Sequence, residues 1–198
     1  MYDDKLVQVK QFLEANPNLR PGWKGYEFGS EEYWERITNK FINGRKPKEL
    51  KAPRTVTDPV VDILMQKRFG HEESAMARIQ KEHGQAMVVE SSVGDLLERF
   101  IARELEPYDW VWCSGEVVKH VDLIQTKGDV SEWIPVQIKN RDNSENSSSS
   151  KVRKNTGIIM WFRTYSQTGK TNWENFPGAP KNARLSEEDF QEFCKIIF

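Results

Sequence analysis

The stretch SVGDLLERFIARELEP, residues 92–107, carries apolar residues at helical spacing and decides the expected fold. Glu98 lies beside this apolar stripe. Either Ser91 or Ser92 can cap the start of the helix, and Pro107 stops it. The stripe itself comprises Val93, Leu96, Leu97, Phe100, Ile101 and Leu105. The sequence therefore predicts a helix that carries an acid next to its buried face.

Two strands are expected to follow this helix. The segment VVKHVDLIQ, residues 117–125, alternates and is rich in Val and Ile, which predicts the first strand. Its period of two places His120 and Asp122 on one face. After a turn, WIPVQIKN, residues 133–140, predicts the second strand. The second strand presents together Trp133, Pro135, Gln137 and Lys139.

An acid, an amide and an amine on neighbouring strands, with a second acid from a helix, suit phosphodiester hydrolysis. Oxygens of Glu98, Asp122 and Gln137 are candidates to hold one or two Mg²⁺ ions, which take few protein oxygens and keep several waters. Lys139 can orient or deprotonate such a water and offset charge on phosphate. Taken singly, Asp122 and Lys139 also fit a cross-strand ion pair, and Glu98 an ordinary helix surface. The combination in this order favours the catalytic interpretation.

Two further side chains near these candidates have two interpretations each. His120 is either a hydrogen-bond partner that supports a metal ligand or a satisfied histidine near the sheet surface. Glu90 precedes the helix and is a reserve metal ligand, or it stabilises the positive charge at the helix N-terminus. The residues alone leave both questions open.

These residues resemble the core of PD-(D/E)XK nucleases, which is found in restriction endonucleases. Gly94 precedes Glu98 by four residues, as in the helix motif of that family. The run around Asp122 stands where the family has Pro-Asp, and the glutamine of Gln-Ile-Lys, residues 137–139, stands where it usually has Asp or Glu. The resemblance implies an α/β fold in which a small mixed sheet, with the Asp122 and Lys139 strands central, has helices on both sides. It also implies Mg²⁺-dependent cleavage of DNA.

Two longer segments, residues 82–101 and 136–177, are similar to the SinI/AvaII type of type II restriction enzyme. This similarity implies cleavage of double-stranded DNA at a short palindrome with GG and CC flanking a central A·T pair, written GGWCC. A palindrome is matched by a two-fold protein, so a homodimer is expected. A cognate DNA methyltransferase is expected in the same system.

Two other functions remain open at this point. One is a DNA repair, junction-resolving or transposon-end nuclease with the same core, a group in which Gln137 fits well. The other is a non-catalytic DNA-binding protein built on a decayed nuclease core. Cleavage of plain duplex DNA into discrete bands distinguishes a restriction enzyme from both.

The segment NRDNSENSSSSKVRKNTG, residues 140–157, follows the proposed catalytic strand directly. It is either a flexible Ser-rich linker or a loop that contacts DNA, and its side chains are of the kinds that bind base edges and phosphates. We expect Arg141 and at least one of Arg153 and Lys154 to contact bases, and Lys151 to contact phosphate. The candidate DNA-binding residues are Asn140, Arg141, Asn143, Lys151, Arg153 and Lys154.

Composition indicates a globular chain, since 37% of the 198 residues are hydrophobic and 30% are charged, and this length suffices for one sizeable core or for a core with a small accessory domain. No apolar run approaches the ~20 residues of a membrane span, and the N-terminus lacks an apolar signal region. We therefore expect a cytoplasmic protein without membrane contact. The net charge of −1 argues against a general nucleic-acid binder, but seven basic residues and one acid between Ser149 and Arg184 favour one DNA-facing side.

Helical spacing along the rest of the chain completes the expected architecture. Residues 1–85 are expected to form a helical N-terminal region that packs on the core. Residues 86–198 are expected to form the nuclease core with its DNA-recognition loop and C-terminal helix, within the same structural domain. Residues 158–166 fit either a helix or a strand. Helices are predicted at 3–15, 31–44, 59–69, 72–82 and 187–198. Three of their starts are predicted at Ser30, Asp58 and Ser186.

Overall fold

A four-stranded sheet forms the centre of the fold. The computed structural model describes residues 3–48, 58–126, 132–143 and 156–197. Within these ranges the strands are β1 (Trp110–Trp112), β2 (Leu123–Thr126), β3 (Trp133–Arg141) and β4 (Ile159–Thr164). The helices in the same ranges are α1 (Asp3–Ala15), α2 (Glu31–Gly44), α3 (Pro59–Phe69), α4 (Met76–Leu105) and α5 (Glu187–Ile197).

The strands lie side by side in chain order, with β2 and β3 in the middle. β1 pairs antiparallel with β2, β2 antiparallel with β3, and β3 parallel with β4, so the sheet is mixed. Lys139 lies on β3, and Asp122 directly precedes β2. The prediction of an α/β fold with a small mixed sheet and these two strands central is confirmed. The segment that fits a helix or a strand forms β4.

Helix caps formed where local sequence chemistry predicted them. The Ser30 hydroxyl accepts from the Tyr33 N–H at 3.2 Å at the start of α2. The Asp58 carboxylate accepts from the Val60 N–H at 2.9 Å at the start of α3. Ser186 precedes α5, and its hydroxyl accepts from an N–H of the first turn at 3.1 Å. Each of these side chains satisfies a backbone donor that the helix leaves unpaired.

Apolar side chains cover the sheet on both faces. Val111 belongs to a buried cluster with Phe12 of α1 and Phe41 of α2. Its neighbour Trp110 points to the opposite face, because side chains alternate along a strand, and contacts Phe176 with 5.8 Å between ring centroids. A second aromatic cluster on that opposite side contains Phe100, Trp161, Trp173, Phe176, Phe190 and Phe193. Helices therefore supply the core on both sides of the sheet.

The chain divides into two compact units. The first comprises Met1–Pro47 and Leu96–Phe198 and contains the sheet, and the second comprises Lys48–Asp95. Within the second unit, the Gln80 amide donates to both carboxylate oxygens of Asp62 at 2.6 Å. The expected division into residues 1–85 and residues 86–198 stays a prediction.

Helix α4 is much longer than the sequence pattern indicated. It runs without a break for 30 residues, so the predicted helix over 72–82 and the core helix are one element. Ser91 and Ser92 are therefore not caps, and each donates its hydroxyl to the Val88 carbonyl at 2.8 Å. The reason is that an uninterrupted backbone can supply partners inside the helix, whereas caps are needed only at its ends. No helix in the described part of the chain is long and apolar enough to cross a membrane.

The strand predicted over 117–125 is also corrected, because only its last three residues join the ladder, as part of β2. The preceding residues turn instead, and His120 has a left-handed φ of 61°. Their partners lie outside the sheet, since the Lys119 N–H donates to the Leu19 carbonyl at 2.9 Å. Gly115 permits this path, because a Cβ there would clash with the Lys40 carbonyl. Val residues of the turn are buried, which explains why the segment resembles a strand.

Candidate active site

Asp122 is fixed at the start of β2, between the two neighbouring strands. Its backbone N–H donates to the Val136 carbonyl at 2.9 Å, and its carbonyl accepts from the Cys113 N–H at 2.8 Å. Its carboxylate oxygen Oδ2 accepts from the Ile138 N–H at 2.6 Å. The side chain is therefore held against the backbone of β3 at the residue between Gln137 and Lys139.

The environment of Asp122 changes its acidity. Burial raises the pKa of the Asp122 carboxyl from 3.8 to about 6. The hydrogen bond from the Ile138 N–H and the positive charge of Lys139 lower that pKa, while the negative charge of Glu116 raises it. The ionised form of this buried carboxyl is therefore unfavourable in the metal-free protein, and a cation placed beside it would stabilise that form.

Gln137 and Lys139 lie on the same face of β3, because Ile138 separates them in the strand. Gln137 is buried, with 5% of its surface exposed, and Lys139 is partly buried. The antiparallel register brings the backbone of Gln137 beside that of Asp122. The amide and the amine therefore flank the backbone N–H that holds the Asp122 carboxylate.

Glu98 reaches the same region from α4. Its oxygen Oε2 accepts from the indole Nε1–H of Trp112 at 3.1 Å. Cys113, which directly follows β1, donates its N–H to the backbone carbonyl of Asp122. Two consecutive residues thus connect the helix acid with the sheet acid.

The pKa of the Cys113 thiol depends on the charges of both acids. Burial raises the pKa of the Cys113 thiol well above its ordinary value, and the negative charge of Asp122 raises it further. Arg45 lowers this pKa, whereas Glu106 and then Glu98 raise it. Both acids therefore contribute to the electrostatic environment of this thiol.

The side chains present fit a magnesium ion by their chemistry. Glu98, Asp122 and Gln137 offer two carboxylates and one amide oxygen, and Mg²⁺ prefers hard oxygen ligands with water in its remaining positions. No group of three His, Cys, Asp or Glu side chains that could hold a metal occurs among the described residues. A site of two carboxylates and an amide is consistent with that finding, since it contains only two such side chains.

His120 and Glu90 occupy different positions from those expected. His120 lies in the turn before β2 with φ 61°, so it does not share an alternating strand face with Asp122. Its role in supporting a ligand stays a prediction. Glu90 is exposed and lies in the middle of α4, which begins at Met76, so it cannot stabilise the N-terminus of that helix.

The predicted DNA-binding residues begin at the end of β3. The Asn140 side-chain oxygen accepts from Arg163 Nε at 3.0 Å, and Arg163 also donates to Glu187 at 2.8 Å. Arg141 and Asn143 are exposed. Asn140 thus takes part in a protein network, while Arg141 and Asn143 present their side chains to solvent. The residues that lie outside the described ranges are Lys151, Arg153 and Lys154.

The contacts made by the side chains around Trp112 were not predicted from the sequence. Arg45 forms an ion pair with Glu106 at 2.7 Å. Arg99 donates to the backbone carbonyls at the end of α2, at 2.6–3.0 Å. The indole of Trp112 carried no signal, since a Trp in a short apolar strand predicts only a core residue.

Comparison with known proteins places this chain in a family. The SinI restriction endonuclease family model matches residues 2–197. The chain is 46% identical over 187 residues to the type II restriction enzyme Eco47I of Escherichia coli, with 94% of this chain and 81% of that enzyme covered. It is 44% identical, with the same coverage, to the type II restriction enzyme SinI of Salmonella infantis. The predicted resemblance to type II restriction enzymes is therefore confirmed. The prediction that the protein is a site-specific deoxyribonuclease is confirmed as well. The chain belongs to the SinI restriction endonuclease family.

Proposed function

We propose that this protein cleaves double-stranded DNA at GGWCC in a Mg²⁺-dependent reaction. The observation that carries the proposal is the arrangement around Ile138, whose N–H holds the Asp122 carboxylate between Gln137 and Lys139. The target sequence is supported by the resemblance to the SinI/AvaII type. The metal is supported by the oxygen donors gathered at this point.

Glu98, Asp122 and Gln137 would hold the ion. When bound, Mg²⁺ supplies a Lewis acid and lowers the pKa of a coordinated water. Lys139 donates hydrogen bonds to the attacking water or to a phosphate oxygen and offsets the charge that develops there. Because the pKa of Asp122 is raised to about 6, this carboxyl is mostly ionised above that pH. Protons compete with the cation below it.

The first experiment uses plain duplex DNA. Plasmids with and without GGWCC are incubated with the protein and Mg²⁺, and we expect discrete fragments that map to GGWCC and no cleavage in EDTA. A plasmid in which each site is changed to GGSCC, where S is G or C, is the matched control. Cleavage only of branched DNA would refute restriction activity and favour a junction-resolving enzyme.

The base contacts of the proposed recognition loop begin at Arg141. This side chain is exposed at the end of β3, two residues after Lys139. An arginine at that position is suited to bidentate contact with guanine. Asn140 supports the loop through Arg163, so we assign it to positioning in place of base contact. Lys151, Arg153 and Lys154 remain proposed DNA contacts.

We also propose that the enzyme acts as a homodimer through α3. This helix has 11 residues and none of them is fully buried. Its exposed apolar side chains are the surface that a partner would cover. The exposed fractions of its apolar side chains are 56% for Val60, 46% for Val61, 56% for Ile63 and 60% for Leu64.

The charges of α3 favour a second copy of the chain as that partner. Asp58 lies at the start of the helix and Arg68 in its last turn, so a two-fold axis near Ile63 places each Asp58 opposite the partner's Arg68. Such a self-complementary surface is what an isologous contact requires. Residues 58–95 contain seven acids and four basic residues, which disfavours DNA as the occupant.

The oligomeric state tests this interface. Leu64→Glu should convert a dimer into a monomer in analytical ultracentrifugation and should strongly reduce cleavage of both strands. Ile196→Glu on α5, where the side chain is 74% exposed, is the matched control and should remain dimeric. A dimeric Leu64→Glu protein would exclude α3 as the interface, and a wild-type monomer on DNA would exclude the homodimer.

Cellular context follows from the proposed activity. A cognate DNA methyltransferase that modifies GGWCC in the same system would protect the host DNA. Because the substrate is DNA, we propose that the protein acts in the cytoplasm. Transformation into cells with and without such a methyltransferase should show viability only when the sites are modified.

A further inference from the structure

The carboxylate of Glu98 accepts a hydrogen bond from a tryptophan of β1. Trp112 donates its Nε1–H to Glu98 Oε2 at 3.1 Å, and its side chain is buried with the residue only 5% exposed. We propose that Trp112 is a positioning residue that orients Glu98 for binding a divalent cation. This inference rests on the proposed role of Glu98 as a metal ligand.

The ring of Trp112 is itself held by two arginines. The guanidinium carbon of Arg45 lies 5.4 Å from the ring centroid, and that of Arg99 lies 5.1 Å from it. Arg45 also donates to the Trp112 carbonyl at 2.9 Å and forms a bidentate pair with Glu106 at 2.7 and 3.1 Å. Glu106 in turn accepts from the Trp112 backbone N–H at 3.2 Å. Both the ring and the backbone of Trp112 are therefore anchored.

The contact also fixes one turn of α4 relative to the sheet. Glu98 and Arg99 are consecutive on the helix, and both contact Trp112. Arg99 extends further to the carbonyls of Gly44, Arg45 and Lys46 at the end of α2. The carboxylate thus has a defined direction before a cation arrives, so less conformational entropy is lost on binding.

Loss of a hydrogen-bond partner behind a metal ligand typically weakens metal binding 10- to 100-fold. The Trp112 indole is a neutral donor, so we expect the lower end, roughly tenfold. The effect should fall on the concentration of cation required, while the fold remains intact. A merely structural role would lower stability without changing that concentration.

Trp112→Phe removes the N–H donor, and 3-benzothienylalanine at position 112 removes it while keeping a bicyclic ring. The matched control is Trp173→Phe, since the Trp173 indole also donates to a carboxylate, Glu187, at 3.0 Å, away from Glu98. Ca²⁺ is titrated into a mixture of each protein with a fluorescent GGWCC duplex, which is not cleaved in Ca²⁺. The fraction of duplex bound is followed by fluorescence anisotropy, and the Ca²⁺ concentration at half-maximal binding is the midpoint. Thermal unfolding in EDTA reports stability separately.

We expect the Ca²⁺ midpoint to rise roughly tenfold in both position-112 variants and to stay at the wild-type value in Trp173→Phe. An unchanged midpoint for the benzothienyl protein, with Glu98→Ala abolishing the Ca²⁺ response, would overturn the role of Trp112 and leave the metal site standing. A Ca²⁺ response that survives Glu98→Ala would instead refute Glu98 as a ligand. Equal midpoint shifts in Trp112→Phe and Trp173→Phe would show a structural effect only.

Discussion

Replacing the central acid, Asp122→Asn, should stabilise the metal-free protein and abolish cleavage. The pKa of the Asp122 carboxyl is raised from 3.8 to about 6, mainly by burial. Each pKa unit corresponds to about 1.4 kcal/mol, so the ionised carboxylate costs about 3 kcal/mol of folding free energy at pH 8. Asparagine carries no charge and keeps an oxygen that can accept from the Ile138 N–H.

The sign of the pH dependence follows from the direction of this shift. The folded protein holds the Asp122 proton more tightly than the unfolded chain does, so this group favours folding below its unfolded pKa. That contribution is lost as the pH rises toward about 6. The stability difference between Asp122→Asn and wild type should therefore be small near pH 4 and should level off above pH 6.

Urea unfolding in EDTA between pH 4 and pH 8 measures the difference. For a chain of this length, about 3 kcal/mol corresponds to a rise in Tm of roughly 6–12 °C. Asp142→Asn is the control with the opposite sign, because hydrogen bonds donated by Ser166 to the Asp142 carboxylate lower the pKa of that carboxyl. If Asp122→Asn is less stable than wild type at pH 8, pairing with Lys139 outweighs burial and the reasoning fails.

Five other substitutions, at four residues, address the remaining proposed roles. Gln137→Glu should retain cleavage in Mg²⁺, because it adds a carboxylate of the same reach, whereas Gln137→Leu should lose most of the cleavage activity. A wild-type cleavage rate in Gln137→Leu would show that Gln137 is not a metal ligand. Glu98→Ala should lower cleavage at least 10-fold, because losing even a hydrogen-bond partner behind a metal ligand typically costs 10- to 100-fold. As a control, its binding to a non-specific duplex without Ca²⁺ should be unchanged. Arg141→Ala should weaken binding only to the GGWCC duplex, by about 1–3 kcal/mol, whereas Lys151→Ala should weaken cognate and scrambled duplexes alike and reduce the salt slope by roughly one unit. Equal losses on both duplexes for Arg141→Ala would make that residue a phosphate contact.

Local chemistry explains which parts of the fold could be predicted. The starts of α2, α3 and α5 depend on one side chain that bonds to a backbone N–H two or three residues away, so Ser30, Asp58 and Ser186 are recognisable without any tertiary contact. Strand β3 has a period of two and lies in a sheet, so Gln137 and Lys139 could be placed on one face. The candidate site residues Asp122 and Glu98 were found through their spacing and their resemblance to a known core.

Tertiary structure decided what the periodic pattern could not. The turn at His120 exists because Lys119 bonds to the Leu19 carbonyl, a partner that is remote in the sequence. The raised pKa of Asp122 comes from burial by several elements, and no neighbouring residue in the chain encodes it. The indole that holds Glu98 lies 14 positions further along the chain, on a strand whose sequence predicts only burial. Sequence by itself determined where α2, α3 and α5 begin and which residues share a face of β3, because these depend on short-range chemistry. Packing of distant segments determined the direction and the acidity of the reactive side chains, because both depend on which atoms surround them.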